Sequence, residues 1–392
     1  MIELIVLLRP PLGERKERIQ KLKKLTFIAV ISLVSTIFND RSGLECFFAA
    51  MAQQTRLPDE ILIVDAGSKD GTWELMQAEA ARTDRPWVMR AMQEIQCNVA
   101  RGRDLAIEAA GGEIIVSTDI GCDWEPEWLE ELVTPLEAEP GIDLVIGSWA
   151  VRREDLHGPW ALAEWALKGD QRLEATADCY SSSRSIAYRK CCWEAMGRYP
   201  EDLTLAADDA VFHYLIEKAE VPRVGASVVR CWWHRHETLQ GFFKEAFRYG
   251  LGDGEAGIRK KDVILIGGRL ALEAGCLLLG MLGLLPGVPG APWLGVGLLA
   301  VTALSVGEKI FKMRGAISRL NSAGVDHALV RLLAFTYGTK WHWLKGYAAG
   351  LKRGKVHCQD CRRRLREMTP ELYCAEKVVK VGRVNQESGS EG

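Results

Sequence analysis

No glycine-rich phosphate loop follows the first strand-like run of this sequence of 392 residues. The run continues as "VSTIFND" (34–40), not as the Gly-x-Gly-x-x-Gly of a dinucleotide fold, and no P-loop motif occurs elsewhere. An excess of charge of one sign is also missing. The formal net charge is -2 and the basic clusters are local, so no overall field argues for nucleic acid as a partner. A disulfide framework is missing too: the 11 cysteines follow no regular spacing and two are adjacent, Cys191 and Cys192, which fits a reducing compartment. The first residues lack the order of a signal peptide, because the apolar "IELIVLL" precedes the basic "RKERIQKLKK" (15–24). Residues 1–25 are therefore expected to be an N-terminal extension. Charge of either sign is absent from Ala274 to Gly307.

What is present is alternation. "FIAVISLV", "EILIVD", "EIIVSTD" and "IDLVIGSW" read as buried strands. "GLECFFAAMAQQ", "DGTWELMQAEAAR", "NVARGRDLAIEAA" and "PEWLEELVTPLEA" read as the helices between them. The alternation predicts an α/β domain over residues 26–257, built on a mostly parallel, doubly wound sheet covered on both faces. Ligands of such sheets lie at the carboxyl ends of the strands, where Asp65 and Asp119 both fall. In "ILIVDAGSKDGT" (61–72) a strand runs into Asp65, and the Gly67-Ser68 turn lets the chain bend at once. A carboxylate so placed accepts hydrogen bonds from a base or a ribose.

One helix over the whole uncharged stretch would reach ~50 Å, well beyond a bilayer core of ~30 Å. Pro286, Pro289 and Pro292 break it, which predicts a helical hairpin within residues 258–310, with arms near 263–285 and 292–307. The length rule favours a membrane hairpin over a buried soluble one. The second arm is short for a full span, which leaves a re-entrant or interfacial hairpin open. Arg269 and Glu273 lie four apart on one face of the first arm and are expected to pair. Arg259 to Lys261 before the hairpin, and Lys309, Lys312 and Arg314 after it, place both flanks in the cytoplasm by the positive-inside rule. Residues 311–392 read as an amphipathic, basic region, with Trp341, Trp343, Lys345, Lys352 and Arg353 suited to an interface and a polar tail expected to be disordered.

"AADDAVFHYLI" (206–216) sets Asp208 and Asp209 at the start of an amphipathic helix, where capping is one role open to them. Cys358 and Cys361 form a lone Cys-x-x-Cys with His357 and Cys374 as irregular companions. A closed zinc site wants four ligands in a fixed tetrahedron, so free thiols are the preferred reading.

Four stretches carry a resemblance. "VSTIFND", "QQTRLPDEILIVDAGSKDGT", "ARGRDLAIEAAGGEIIVSTDIGCDWEPEWLEEL" and "LAADDAVFHYLI" match, in order, the blocks of the family 2 glycosyltransferases, inverting enzymes with the A-type nucleotide-diphospho-sugar transferase fold. The resemblance covers about residues 26–255, and the hairpin with its basic C-terminal region resembles the membrane-attached exopolysaccharide branch. It implies a hexosyltransferase-type enzyme that moves a sugar from a nucleotide-diphosphate sugar to a glycan or lipid-linked acceptor. It also implies Mg2+ or Mn2+ as cofactor, and a place at the cell membrane with the catalytic domain in the cytoplasm.

The same resemblance assigns residues. Thr36, Asn39 and Asp65 would line the nucleoside, with Asp65 facing the base, and Arg101 and Arg103 would lie beside the diphosphate. The family's metal motif, Asp-x-Asp, reads Asp119-Ile120-Gly121, so its second carboxylate is missing and Asp123 stands two residues further on. A single Asp119 is physically sufficient for Mg2+, which takes other ligands from phosphate and water. Asp209 would be the catalytic base and Asp208 the acidic residue before it. The family's Gln-x-x-Arg-Trp corresponds to Glu245-Ala-Phe-Arg248-Tyr249, which would bring Arg248 and Tyr249 to the acceptor or the diphosphate. Trp232, Trp233 and His234 are either a sugar-stacking wall or core aromatics. Two alternatives stay open. One is a nucleotide-sugar-binding pseudoenzyme, suggested by the missing carboxylate; the other is a nucleotidyltransferase, for which "STIFNDRSG" is a poor version of the loop required.

Overall fold

A computed structural model of the protein describes residues 29–168, 174–285 and 291–389. The extension over residues 1–25 and the breaks at Pro286 and Pro289 lie outside the described residues. The strands are β1 (Ile31–Ile37), β2 (Glu60–Asp65), β3 (Val88–Gln93), β4 (Ile114–Ser117), β5 (Cys122–Trp124), β6 (Leu144–Ala150), β7 (Ile186–Arg189) and β8 (Arg223–Trp233). Among them run α1 (Arg41–Met51), α2 (Thr72–Ala80), α3 (Val99–Ala109), α4 (Trp128–Ala138), α5 (Pro159–Lys168), α6 (Lys190–Ala195) and α7 (Asp208–Lys218). After the last strand come α8 (Leu239–Ala256), α9 (Lys260–Gly283), α10 (Ala291–Lys312), α11 (Arg314–Ser322), α12 (Ala328–His357), α13 (Gln359–Glu367) and α14 (Pro370–Gly389).

One sheet holds all eight strands in the order β3-β2-β1-β4-β7-β6-β8-β5. The first four pair in parallel, as the alternation predicts. The other half is mixed. β7 runs antiparallel to both β4 and β6, β8 pairs in parallel with β6, and β5 closes the edge antiparallel to β8. The expectation of a mostly parallel sheet holds, with two strands it did not include, β7 and β5, running against the other six. The cause is local: β5 and β7 are three and four residues long, too short to show a period in the sequence.

Alternate residues of the central strands feed two cores. Val34, Leu62, Val64 and Ile115 face a layer built from α3, α6 and α7. Leu33, Ile61, Ile63 and Val116 face α1, α2 and α4. A strand apolar at every position is what a doubly covered sheet requires.

The C-terminal region is not a separate layer. Cys358, Cys361, Met368 and Tyr373 join the first of these cores, so a boundary at residue 257 divides side chains that pack together. Tyr373 Oη donates to buried Asp143 at 2.7 Å, and Lys377 Nζ reaches the same carboxylate at 2.6 Å. Two arginines of the "CRRRLR" cluster take part in the same docking. Arg362 donates to the carbonyls of Glu255 and Gly254, and Arg364 to those of Gly197 and Arg198. The helix continues to Gly389, so most of the tail expected to be disordered is helical.

Two helices, α9 and α10, are long and apolar enough to cross a membrane, and little of either is buried in the protein. The second reaches 22 residues, ~33 Å of helix, so the expectation of a short second arm is corrected. Arg269 pairs with Glu273 at 3.2 Å as expected. Glu273 also takes Lys309 at 2.7 Å and Tyr337 of α12 at 2.9 Å, which ties the hairpin to the rest of the chain.

Candidate active site

The carboxyl ends of β1, β2 and β4 lie side by side, with Ile37 opposite Asp65 and Val34 opposite Ser117. α3 comes down onto β1 at Gly102, where a Cβ would sit 2.7 Å from the Thr36 methyl. That close approach sets the neighbouring Arg103 beneath the strand ends.

Arg103 is buried and joins two of the expected residues. One guanidinium nitrogen donates to Asp119 at 2.5 Å, just beyond β4, and another donates to Asp208 at the start of α7. Its own charge is secure, because the two carboxylates more than offset the burial that opposes it. Burial pushes the Asp208 carboxyl up to about 6 despite the opposing pull of Arg103. Asp119 moves the other way. Burial would raise it, but the guanidiniums of Arg103 and Arg184 hold it below the usual carboxylate value.

Capping does not explain the Asp208-Asp209 pair. The N-cap of α7 is Ala207, at φ 72° and with no side-chain hydrogen bond to the first turn. Asp208 turns away to Arg103, while Asp209 stays half-buried with Tyr180, Arg184 and Tyr249 as electrostatic neighbours. A left-handed alanine costs about 1–2 kcal/mol, and here it falls directly before the two carboxylates.

Asp119 Oδ2 carries no hydrogen bond among the described residues and lies 3.6 Å from Arg184 Nε. That oxygen fits a hard divalent ion that draws its remaining ligands from phosphate and water. The replacement ligand does not fit. Asp123 is held by His234 at 3.0 Å and by Arg152 at 3.5 Å, and the described residues contain no group of three side chains able to hold a metal.

On the nucleoside side, Gly67 takes φ 98°, which only glycine adopts without strain, and the loop it turns is pinned by Asp65. The Asp65 carboxylate is fully buried and accepts from Ser68 Oγ at 2.5 Å and Gln93 Nε2 at 2.7 Å. Its role in this structure is to shape the loop, whereas the sequence reading has it facing a base. Asn39 holds the same loop from the other side, its Oδ1 accepting from Lys69 N at 2.8 Å. Thr36 is half-buried at the end of β1.

Arg101 does not join Arg103. Residues two apart on a helix point to different sides, and Arg101 pairs with Glu94 at 3.2 Å and Glu201 at 3.3 Å. The expectation that both arginines flank a diphosphate is corrected for Arg101. The aromatic wall is corrected as well. Trp233 lies under the guanidiniums of Arg184 and Arg235, at 3.9 and 3.7 Å from the ring centre, and Trp232 under that of Arg152. Glu245 is buried and bound by Arg235 at 2.8 Å. Arg248 is exposed, and Tyr249 is part-exposed beside Glu245 at 3.3 Å.

The cysteine pair joins no group of three candidate metal ligands among the described residues. All 11 cysteines are free, Cys358 Sγ donates to the Asp202 carbonyl at 2.9 Å, and burial pushes that thiol up to about 11.

Two arginines escaped the sequence reading. Arg184 sits in the loop "CYSSSRS" before β7, and Arg235 comes just after β8; neither belongs to a periodic run. The glycine spacing in α8 and α12 was the other unread signal. Gly250 and Gly254 recur every four residues, as do Gly346, Gly350 and Gly354. A Cβ at Gly350 would lie 2.0 Å from the Leu251 carbonyl oxygen, and one at Gly254 would lie 2.3 Å from that of Tyr347. The two helices therefore pack backbone on backbone, in parallel, and carry Tyr249 to the rim of the site.

Part of the chain is similar to known glycosyltransferases. Residues 32–190 match the model of glycosyl transferase family 2. Glycosyltransferase AglE of Haloferax volcanii is 28% identical over 120 residues, 30% of this chain and 38% of that protein. An undecaprenyl-phosphate 4-deoxy-4-formamido-L-arabinose transferase of Pseudomonas fluorescens is 30% identical over 180 residues, 43% of this chain and 50% of that protein. The chain thus spans half or less of the length of these relatives. Among solved structures, the mannosyltransferase PcManGT from Pyrobaculum calidifontis, in complex with GDP-Man and Mn2+, aligns over 83% of this chain and 88% of its own at a TM-score of 0.47 and 18% identity.

Proposed function

From the premise that this chain carries a glycosyl transferase family 2 domain, we infer that it transfers a sugar from a nucleotide-diphosphate sugar to a glycan or lipid-linked acceptor, with inversion. The observation that carries the reading is the Asp119–Arg103–Asp208 clamp, which holds two strand-end and helix-start carboxylates around one buried cation beside the half-buried Asp209. In this reading the donor lies along the carboxyl ends of β1, β2 and β4. Asp209 takes the proton from an acceptor hydroxyl, whose oxygen attacks the anomeric carbon from the face opposite the diphosphate. The glycosidic bond forms as the bond to the diphosphate breaks, and the nucleoside diphosphate leaves with the electron pair. Asp119 would hold a divalent ion, Mg2+ or Mn2+, and that ion when bound offsets charge on the leaving group. Arg184 supplies a second positive charge on the same side, its buried Nε making an ion pair with Asp119 but no hydrogen bond among the described residues. Arg103 is a positioning residue that keeps Asp208 and Asp119 apart and oriented. The hairpin α9–α10 holds the enzyme at the cell membrane, with the catalytic domain in the cytoplasm.

The test is Asp209→Asn. An amide is close in shape to the carboxylate but cannot take the proton. The expected result is a fall in kcat of about 10²–10⁴-fold with unchanged donor affinity and thermal stability. A variant that transfers sugar at the wild-type rate would remove Asp209 from the mechanism. The lone metal carboxylate also supports a second reading, a protein that binds nucleotide sugars without turnover. Released nucleoside diphosphate from a panel of nucleotide sugars decides between the two.

A further inference from the structure

Hydrogen bonds do little to hold Arg184, the loop residue beside Asp119. Among the described residues its guanidinium donates only to Ser182 Oγ, at 3.0 Å, and its Nε lies 3.6 Å from Asp119 without a hydrogen bond. A guanidinium carries several N–H donors in a planar fork, so one such bond leaves its plane free to turn. Aromatic rings supply what is missing. The central carbon of the guanidinium lies 3.9 Å from the ring centre of Trp233 and 4.9 Å from that of Trp149. These two rings meet edge to face at 85° and so form a corner around the cation.

Trp233 is backed in turn. Arg235 stands 3.7 Å from the same ring centre, and two guanidiniums cannot share the centre of one face, so they sandwich the ring. Two like charges so close would repel each other if both were free. Arg235 is not free. Its side chain is 2% exposed and donates to Glu164 at 2.6 and 2.8 Å and to Glu245 at 2.8 and 3.0 Å. Glu164 comes from α5 and Glu245 from α8. The stack of Arg184, Trp233 and Arg235 thus ties the cation beside Asp119 to two helices that pack away from the strand ends.

We propose that Trp233 is a positioning residue for Arg184: its ring holds the guanidinium beside Asp119, ready for an anionic oxygen of a nucleoside diphosphate, and Arg235 with its two glutamates fixes the ring from behind. The proposal rests on the glycosyltransferase reading for the identity of the anion. It gives Trp233 no contact with a sugar, since both faces of the ring are taken. A cation already fixed in place loses little freedom when its ligand arrives. Removing the ring therefore lowers affinity while the charge itself remains.

The probes are UDP and GDP with Mn2+, titrated by calorimetry into the full-length protein in detergent. Wild type is expected to bind at least one of them, and binding of neither overturns the proposal. Arg184→Met should weaken the bound nucleotide by about 10–100-fold, the loss of a hydrogen-bonded charge. Trp233→Leu, which keeps the charge of Arg184, should weaken it by about 10–30-fold, and Trp233→Phe should recover most of that loss. Tm in detergent shows that each variant is folded, and Trp233→Met takes the place of Trp233→Leu where that one is not. The double variant decides. Where the ring acts through the guanidinium, Trp233→Leu adds nothing to Arg184→Met, whereas a merely structural ring weakens binding equally in both backgrounds. Additive losses, wild-type affinity of Trp233→Leu, or a Trp233→Phe as weak as Trp233→Leu each overturn the proposal. Nucleoside diphosphate released from a panel of nucleotide sugars separates it from the reading on which it rests. Non-additive losses in a protein that releases none keep the stack and sink the transferase, and release with additive losses does the reverse.

Discussion

Two helix pairs share a composition and differ in how far the rest of the protein covers them. The pair α8–α12 and the pair α9–α10 are both rich in glycine and apolar residues. In the first, glycines meet the facing backbone, and both helices pack on the catalytic half. In the second, Gly280 and Gly295 meet across the pair, but Gly275, Gly297 and Gly307 face open space and Trp293, Leu294 and Leu304 are mostly exposed. A glycine four residues from the next is therefore a packing device only where a second backbone arrives. A run of apolar residues is likewise a core only where the protein covers it. The uncovered pair is the one whose length and composition would let it cross a membrane.

The largest effect expected from breaking this contrast is in the packed pair. Gly350→Val sets a side chain against the Leu251 carbonyl, which no rotamer change relieves. Ordinary overpacking costs about 1–3 kcal/mol; an obstacle made of backbone should exceed that and abolish monodisperse protein on size exclusion. The link between the pairs comes next. Glu273→Ala leaves Lys309 without its carboxylate in a buried network, for a loss of about 3–5 kcal/mol and a lower Tm in detergent. Adding Lys309→Ala should recover part of it. The smallest effect is the sharpest control: Gly297→Val, with nothing within 4 Å of the new side chain, should leave Tm in detergent within the error of the measurement and stability within about 0.5 kcal/mol. A large drop at Gly297 would mean that α10 is covered by protein after all.

Much of the catalytic half was legible from periodicity alone. The runs ending in Asp65 and Asp119 are apolar at successive positions, which a strand buried on both faces requires, and they pair in parallel as read. The second half was not. β7 has only four residues, too few to show a period, and its reversal between β4 and β6 leaves no mark in composition. The same limit applies at the site. Asp208 and Asp209 were marked by their place before an amphipathic helix. Arg184 had no such mark, because its role comes from a loop folding over Asp119. Arg101 and Arg103 looked alike in the chain and separated only when α3 turned one to solvent and the other beneath the strands.

By itself, the order of residues determined which segments are strands and helices in the first half, that Asp65 and Asp119 fall at strand ends, and that the stretch from Ala274 to Gly307 carries no charge. Those properties depend on neighbours within a few residues, which periodicity and charge record. The tertiary structure decided which charges are spent and which are free. Asp123, Arg362 and Arg364 are consumed by partners a hundred or more residues away in the chain, and Asp65 and Glu245 by nearer ones, while Asp119 Oδ2 is left without a hydrogen bond among the described residues. The physical reason is that the availability of a polar group depends on who reaches it in space, and a partner a hundred residues away leaves no local trace in the sequence.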